Sequence, residues 1–202
     1  MKRTLNLLLT TFSVGIALYA IVVYGFLELG SVMHPAMKAN FRAHSIGIYL
    51  HIFPSLIALA IGPFQFIEKI RLKKIQLHRT LGKIYLLSVF IGGIAGLFMS
   101  FYSFGGYVSH FGFGILSILW LTSGIAAYST IKKKDIRAHS EWMIINFALT
   151  FAAVTLRIGL GIGFASGIAF EIFYPYLSWS CWVPNLIVAL LIIRKDAAQL
   201  TH

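Results

Sequence analysis

The chain has 202 residues, of which 58% are hydrophobic and only 11% are charged, about half the usual charged share of a soluble domain. A water-soluble domain of this size cannot bury so much apolar surface, so lipid must surround most of the chain. The formal net charge of +11 comes from short Lys and Arg clusters between apolar runs, which argues against a nucleic-acid-binding surface on a soluble domain. The single cysteine, Cys181, excludes an intramolecular disulfide.

Six apolar runs follow one another along the chain, and each can span a hydrocarbon core of ~30 Å, which takes about 20 helical residues. The runs lie near residues 5–28, 45–68, 80–102, 107–131, 141–164 and 172–193. The first run is longer than the apolar segment of a signal peptide, so we expect an uncleaved first helix. The sequence therefore predicts an all-α polytopic membrane protein, with residues 1–202 forming a single six-transmembrane-helix bundle.

The basic residues between these runs predict how the bundle is oriented. They cluster at residues 2–3, 68–79, 132–137 and 194–195, which all fall on one side if the six helices are real. The loops on the opposite side are nearly neutral. Since Lys and Arg are retained in the cytoplasm, we expect a bacterial cytoplasmic membrane protein with both termini cytoplasmic.

Five ionisable side chains fall within these helices or at their edges, where burial in lipid is costly and usually marks function. They are His51, His78, His110, His139 and Arg157. At 1.5 Å of rise per residue, His51, His110 and Arg157 lie in an outer layer, and His78 and His139 lie at the cytoplasmic ends of their helices. Helices two to five thus each carry one histidine, arranged in two layers.

Each histidine shares its helix face with small or polar residues at helical spacing. These include Ser55, Gly62 and Gln65 on helix two, Gly82, Tyr85, Gly92 and Gly96 on helix three, Gly114, Ser117 and Gly124 on helix four, and Asn146, Thr150 and Arg157 on helix five. Such faces predict a four-helix core, helices 2–5, within residues 45–160. We expect the helices at 5–28 and 172–193, which carry no intramembrane His, Lys or Arg, to be peripheral.

Paired histidines at two depths favour a b-type haem electron-transfer protein, because haem b with two axial histidines needs imidazoles on facing helices and small residues beside the macrocycle. The pairs would be His51 with His110 and His78 with His139, and Arg157 would hold a propionate. Gln65, on the face of His51, is a further candidate cofactor-binding residue. Quinone or respiratory-chain components would be the partners.

Other interpretations stay open. Stripes of Gly and Ser also let helices pack closely without a ligand, and the inner histidines could simply meet lipid headgroups. Neutral imidazole binds copper and zinc as well as iron. The four histidines therefore also fit a non-enzymatic membrane factor that binds a metal, haem or a proton in assembly of a larger complex, and a small transporter is a third interpretation.

Motifs spread over residues 45–160 carry a family resemblance. They are Y-L-H-I-F-P-S-L around His51, G-P-F-Q-F at 62–66, L-H-R-T-L-G-K-I-Y at 77–85, F-G-F-G-I-L-S-I-L-W at 111–120, K-D-I-R-A-H-S-E-W-M at 134–143 and L-T-F-A-A-V-T-L-R at 149–157. The set resembles a bacterial family of predicted membrane proteins, domain of unknown function 2306. The resemblance implies a multi-pass membrane protein without an established activity, and it singles out His51, Gln65, His78, Arg79, Gly82, Tyr85, His139, Trp142, Met143 and Arg157 but not His110. In architecture alone, the chain is also similar to the ascorbate-reducible two-haem cytochromes b.

Overall fold

A computed structural model describes residues 3–28 and 31–199, and the regular structure in these residues is entirely helical. The α-helices are α1 (Arg3–Gly25), α2 (Pro35–Ala43), α3 (Ser45–Ile61), α4 (Glu68–Lys73), α5 (Ile75–Ser100), α6 (Gly106–Lys132), α7 (Ile136–Thr150), α8 (Ala152–Ala165), α9 (Phe170–Ser180) and α10 (Val183–Gln199). A 3-10 helix at Gly62–Phe66 continues α3. Lys2, one of the residues used to predict the orientation, lies outside the described residues.

The six predicted membrane helices are confirmed as six helical stretches that are long and apolar enough to cross a bilayer. These spans are Thr4–Gly25, Ser45–Phe66, Ile75–Ser100, Gly106–Lys132, Ile136–Ala165 and Phe170–Ala198. The fifth span comprises α7 and α8, and the sixth comprises α9 and α10. The protein is therefore an all-helical membrane protein whose surroundings are a lipid bilayer.

Two spans begin earlier than predicted. The third begins at Ile75 and the fifth at Ile136, so His78 and His139 lie in the first turns of their helices, at the ends where the sequence analysis placed them. Asp135 fixes the start of α7, because its carboxylate accepts a hydrogen bond of 3.0 Å from the backbone N–H of Ala138, a typical N-cap. The apolar runs alone did not reveal these polar first turns.

The connections define two ends of the bundle. The basic end contains the connections at 67–74 and 133–135, and the neutral end contains residues 26–28 and 31–34 and the connection at 101–105. The unpredicted helix α2 lies at the neutral end, where the Asn40 amide donates to the Tyr102 carbonyl. The His44 ring also packs on the Tyr102 ring, with their centroids 3.9 Å apart. These contacts join α2 to the connection between α5 and α6.

Small residues bring the central helices into close contact. A side chain at Gly92 would meet Ser55 on α3, and one at Gly93 would meet Leu121 on α6. Around them lies a buried cluster that includes Tyr85, Val89, Trp120, Met143, Phe147, Cys181 and Trp182. The last span therefore contributes to the buried interior, as does the first through Ser13, Ala17 and Ala20.

Candidate functional site

A cavity of about 250 Å³ lies in the half of the bundle nearest the neutral end. Its walls are mostly apolar, and α2 and residues 102–104 form its cover. The side chains with polar atoms that line it are those of Tyr24, Asn40, His51, Ser55, Ser100, Tyr102, Ser103, Ser117, Trp120, Thr150, Arg157, Tyr174 and Cys181. A small apolar chamber with a few polar groups is the usual form of a ligand site.

His51 reaches this cavity from α3, beside the glycines of α5. Its Nδ1 lies 2.8 Å from the carbonyl oxygen of Gly92. A carbonyl only accepts hydrogen bonds, so Nδ1 must carry the proton, and Nε2 of the neutral ring is left as an acceptor. A Cβ at Gly96 would lie 2.7 Å from Nδ1, so the absence of a side chain there makes room for the imidazole.

Arg157 reaches the same cavity from α8. Its Nη1 donates to the backbone carbonyl of Ala153 at 2.8 Å, and its guanidinium interacts with the Tyr24 hydroxyl. It also lies near enough to His51 for an electrostatic interaction. Within the described chain the ion pairs are His34–Glu171, Arg42–Glu28 and Arg137–Glu141, so no carboxylate of those residues neutralises Arg157.

His110 is placed differently from the sequence expectation. Its Nε2 donates to the Ser103 carbonyl at 3.0 Å, its ring packs edge-on against Tyr107, and it is not one of the described residues that line the cavity. The structure therefore does not bring His51 and His110 together, and their pairing as haem ligands stays a prediction. Helix depth fixes the level of a side chain but not the direction in which it points around the helix axis.

A second polar group lies near the basic end, where His78 of α5 is close enough to His139 of α7 to interact electrostatically. Nδ1 of His139 donates to the Ala127 carbonyl at 2.8 Å. Gln65 is only 5% exposed, and its Oε1 lies 3.3 Å from the position of a Cβ built at Gly82. Neither Nε2 of Gln65 nor Nδ1 of His78 has a hydrogen-bond partner among the described residues, although both atoms are buried.

A buried hydrogen-bond network connects α5, α6 and α7 between the cavity and this inner group. The Tyr85 hydroxyl donates to Asn146 Oδ1 at 2.6 Å and shares a 2.8 Å hydrogen bond with Thr150 Oγ1. Trp120 Nε1 donates to Thr150 Oγ1 at 2.8 Å, and Asn146 Nδ2 donates to Ser123 Oγ at 2.8 Å. The sequence analysis did not identify Trp120. The signal in the sequence was a tryptophan in the middle of a membrane span, because its indole N–H needs a hydrogen-bond acceptor when the ring is buried.

The described residues contain no group of three or more His, Cys, Asp or Glu side chains placed to hold a metal ion. The histidines are brought together at most as the pair His78 and His139. Any metal or haem would thus depend on one or two imidazoles and on ligands from outside this set.

A family model for predicted membrane proteins, domain of unknown function 2306, matches residues 48–193. The chain belongs to this family. The match extends beyond the residues 45–160 that carried the resemblance, because it also includes most of the sixth span, and it contains all six candidate site residues. No curated protein and no solved structure matches this family member. The family is described only as predicted membrane proteins, without an activity.

Proposed function

We propose that this protein is a ligand-binding protein of the bacterial cytoplasmic membrane, whose cavity holds the polar head of a small amphipathic molecule. A quinone or quinol is the class that matches the site best. The observation that carries the proposal is the convergence of His51 and Arg157 on one largely apolar cavity.

The two polar residues offer complementary hydrogen bonds. An arginine side chain keeps its charge and presents several N–H donors, which suit a carbonyl oxygen or an anionic oxygen. The Nε2 acceptor of His51 suits a hydroxyl group. A quinone ring carries oxygens at opposite edges, and its face would pack on apolar wall residues such as Ile52, Phe113 and Leu116. The volume of about 250 Å³ is slightly below the ~300–1,000 Å³ typical of drug-sized ligands, so it suits a single-ring head.

Ligand binding can be measured by titrating the detergent-purified protein with ubiquinone-1 and following tryptophan fluorescence, because Trp120 lines the cavity. We expect saturable quenching by the quinone. Arg157→Gln should raise the Kd at least about tenfold, since a hydrogen bond to a charged group contributes ~1.5–3 kcal/mol. His51→Ala should also weaken binding.

The matched control is Arg137→Gln, which removes the same charge from an exposed pair with Glu141 at the basic end. It should leave the Kd unchanged. Quenching that does not saturate, or an equal Kd for wild type and Arg157→Gln, would exclude a quinone in this cavity. Melting temperatures measured in parallel separate a loss of binding from a loss of folding.

Binding of haem b or a metal ion is the second candidate, and one observation favours it. His51 and His139 both donate Nδ1–H to a backbone carbonyl, which leaves Nε2 free, as in most metal-ligating histidines. The residues fit a haem better at the inner pair, His78 and His139, than at His51, because Nε2 of His110 is already bonded to Ser103. A bound haem would supply one-electron transfer. A haem-replete preparation without a b-type band in the reduced-minus-oxidised spectrum would rule this candidate out.

A further inference from the structure

The inner polar group is not used by the proposed ligand site, and its unpartnered atoms need an explanation. Buried polar side-chain atoms in proteins nearly always have a hydrogen-bond partner, and exceptions commonly mark an ordered water. Here Gln65 Nε2 and His78 Nδ1 are both buried and lack a partner within the described part of the chain. Ordered water at each atom would supply the missing hydrogen bond.

These atoms lie on one route from the basic end toward the cavity. Tyr85 follows His78 by seven residues on α5, and Asn146 follows His139 by seven on α7, a rise of about 10 Å on both helices at 1.5 Å per residue. Gln65 lies between these two levels, because its amide faces Gly82. The 3-10 turn at Gly62–Phe66 therefore places a polar side chain at a level between the histidines and the network.

From Tyr85 onward, hydrogen-bonded polar groups continue into the cavity. Tyr85 is hydrogen-bonded to Asn146 and Thr150, and Thr150 itself lines the cavity. At the far side of the cavity, Asn40 and Ser103 belong to the segments at the neutral end. Hydroxyl and imidazole groups bridged by water can pass protons along such a chain without a carboxylate, and the amides can hold the water in place by hydrogen bonding.

We propose that the bundle contains a hydrated proton path, which runs from His78 and His139 past Gln65 to Tyr85 and Thr150 and opens into the cavity. Arg71 and Arg79 interact electrostatically with His78 at its entrance. The path rests on the proposed ligand site only for its use, which is to exchange protons with a bound head group. The path itself is inferred from Gln65, His78 and the hydrogen bonds of Tyr85, and not from the ligand site.

Water at Gln65 can be tested by cysteine labelling, since the chain has a single cysteine. In a Cys181→Ala background, Gln65→Cys in nanodiscs should react with a small anionic methanethiosulfonate reagent, because only a thiolate reached by water reacts. Leu59→Cys is the control, since Leu59 is fully buried on the same span, and it should stay unlabelled. Equal protection of both cysteines would overturn the hydrated path.

Proton movement can be tested in liposomes that contain a pH-sensitive dye and carry a potassium diffusion potential. The wild-type protein should acidify the lumen faster than protein-free liposomes do, and Tyr85→Phe should lose this excess rate. Tyr128→Phe, at an exposed position of α6, should retain it. Gln65→Leu is a second path variant in case Tyr85→Phe fails to fold. A wild-type rate equal to that of empty liposomes would refute the proposal.

Quinone binding without labelling or flux would refute the path alone, whereas labelling and flux without quinone binding would refute only the ligand proposal.

Discussion

Gly96 positions the His51 imidazole, because a methyl group there would lie 2.7 Å from Nδ1 and 2.9 Å from Cε1. We therefore expect Gly96→Ala to move the ring and to weaken quinone binding about tenfold, which corresponds to ~1.4 kcal/mol, while the polar groups His51 and Arg157 are both retained. The fluorescence titration measures this effect.

Gly161→Ala is the matched control, since a Cβ at Gly161 would meet no atom within 4 Å. It should leave the Kd unchanged, and it should not lower the melting temperature because alanine favours a helix more than glycine does. If Gly96→Ala binds quinone as tightly as wild type does, quinone binding does not depend on the observed position of the His51 ring.

The positions of individual side chains could be predicted only in part from the sequence. The helical spacing of Ser55, Gly62 and Gln65 correctly placed small and polar residues toward α5, because spacing alone fixes the face of a helix. It could not fix the hydrogen bond that turns His110 toward Ser103, since that contact depends on a loop. The partner of Arg157, Tyr24 of the first span, comes from a helix that we expected to be peripheral.

The central contact between elements is the network around Asn146, which links α5, α6 and α7. We expect Asn146→Leu to cost about 1–3 kcal/mol of stability, because it leaves the Tyr85 and Ser123 hydroxyls short of partners in a buried site. A fall in the melting temperature in detergent would measure this. Thr122→Val should be nearly neutral, since the Thr122 hydroxyl bonds only to carbonyls of its own helix.

Combining Asn146→Leu with Tyr85→Phe tests whether these residues act as one unit. Their effects should be less than additive, because each change removes the same 2.6 Å hydrogen bond, and residues in one network couple. Simple additivity would show that Tyr85 and Asn146 stabilise the bundle independently.

At the level of elements, hydropathy predicted the long helices but not α2. The six spans are long apolar runs separated by short charged segments, and runs of this length are a strong signal for membrane helices. Helix α2 has only nine residues and includes Lys38 and Arg42, so its composition resembles a loop. It is held by tertiary contacts such as that of Asn40 with Tyr102, which no local pattern reveals.

For the whole molecule, the basic end should face the cytoplasm, because Lys and Arg are retained there. A reporter that is active only in the periplasm should be inactive when fused after His202, which lies outside the described residues, and active when inserted between Ser103 and Tyr107 at the neutral end. The reverse pattern of activity would invert the orientation and would place the cavity nearer the cytoplasm.

The cover of the cavity is built differently from its walls. Walls and floor, including Tyr24, His51 and Arg157, lie on the membrane spans, whereas part of the cover lies on the short helix α2. We therefore expect substitutions in α2 to change how fast a ligand enters without altering the residues of the membrane spans. Under the proposed function, access to the cavity can thus be changed through one short segment while the interior is retained.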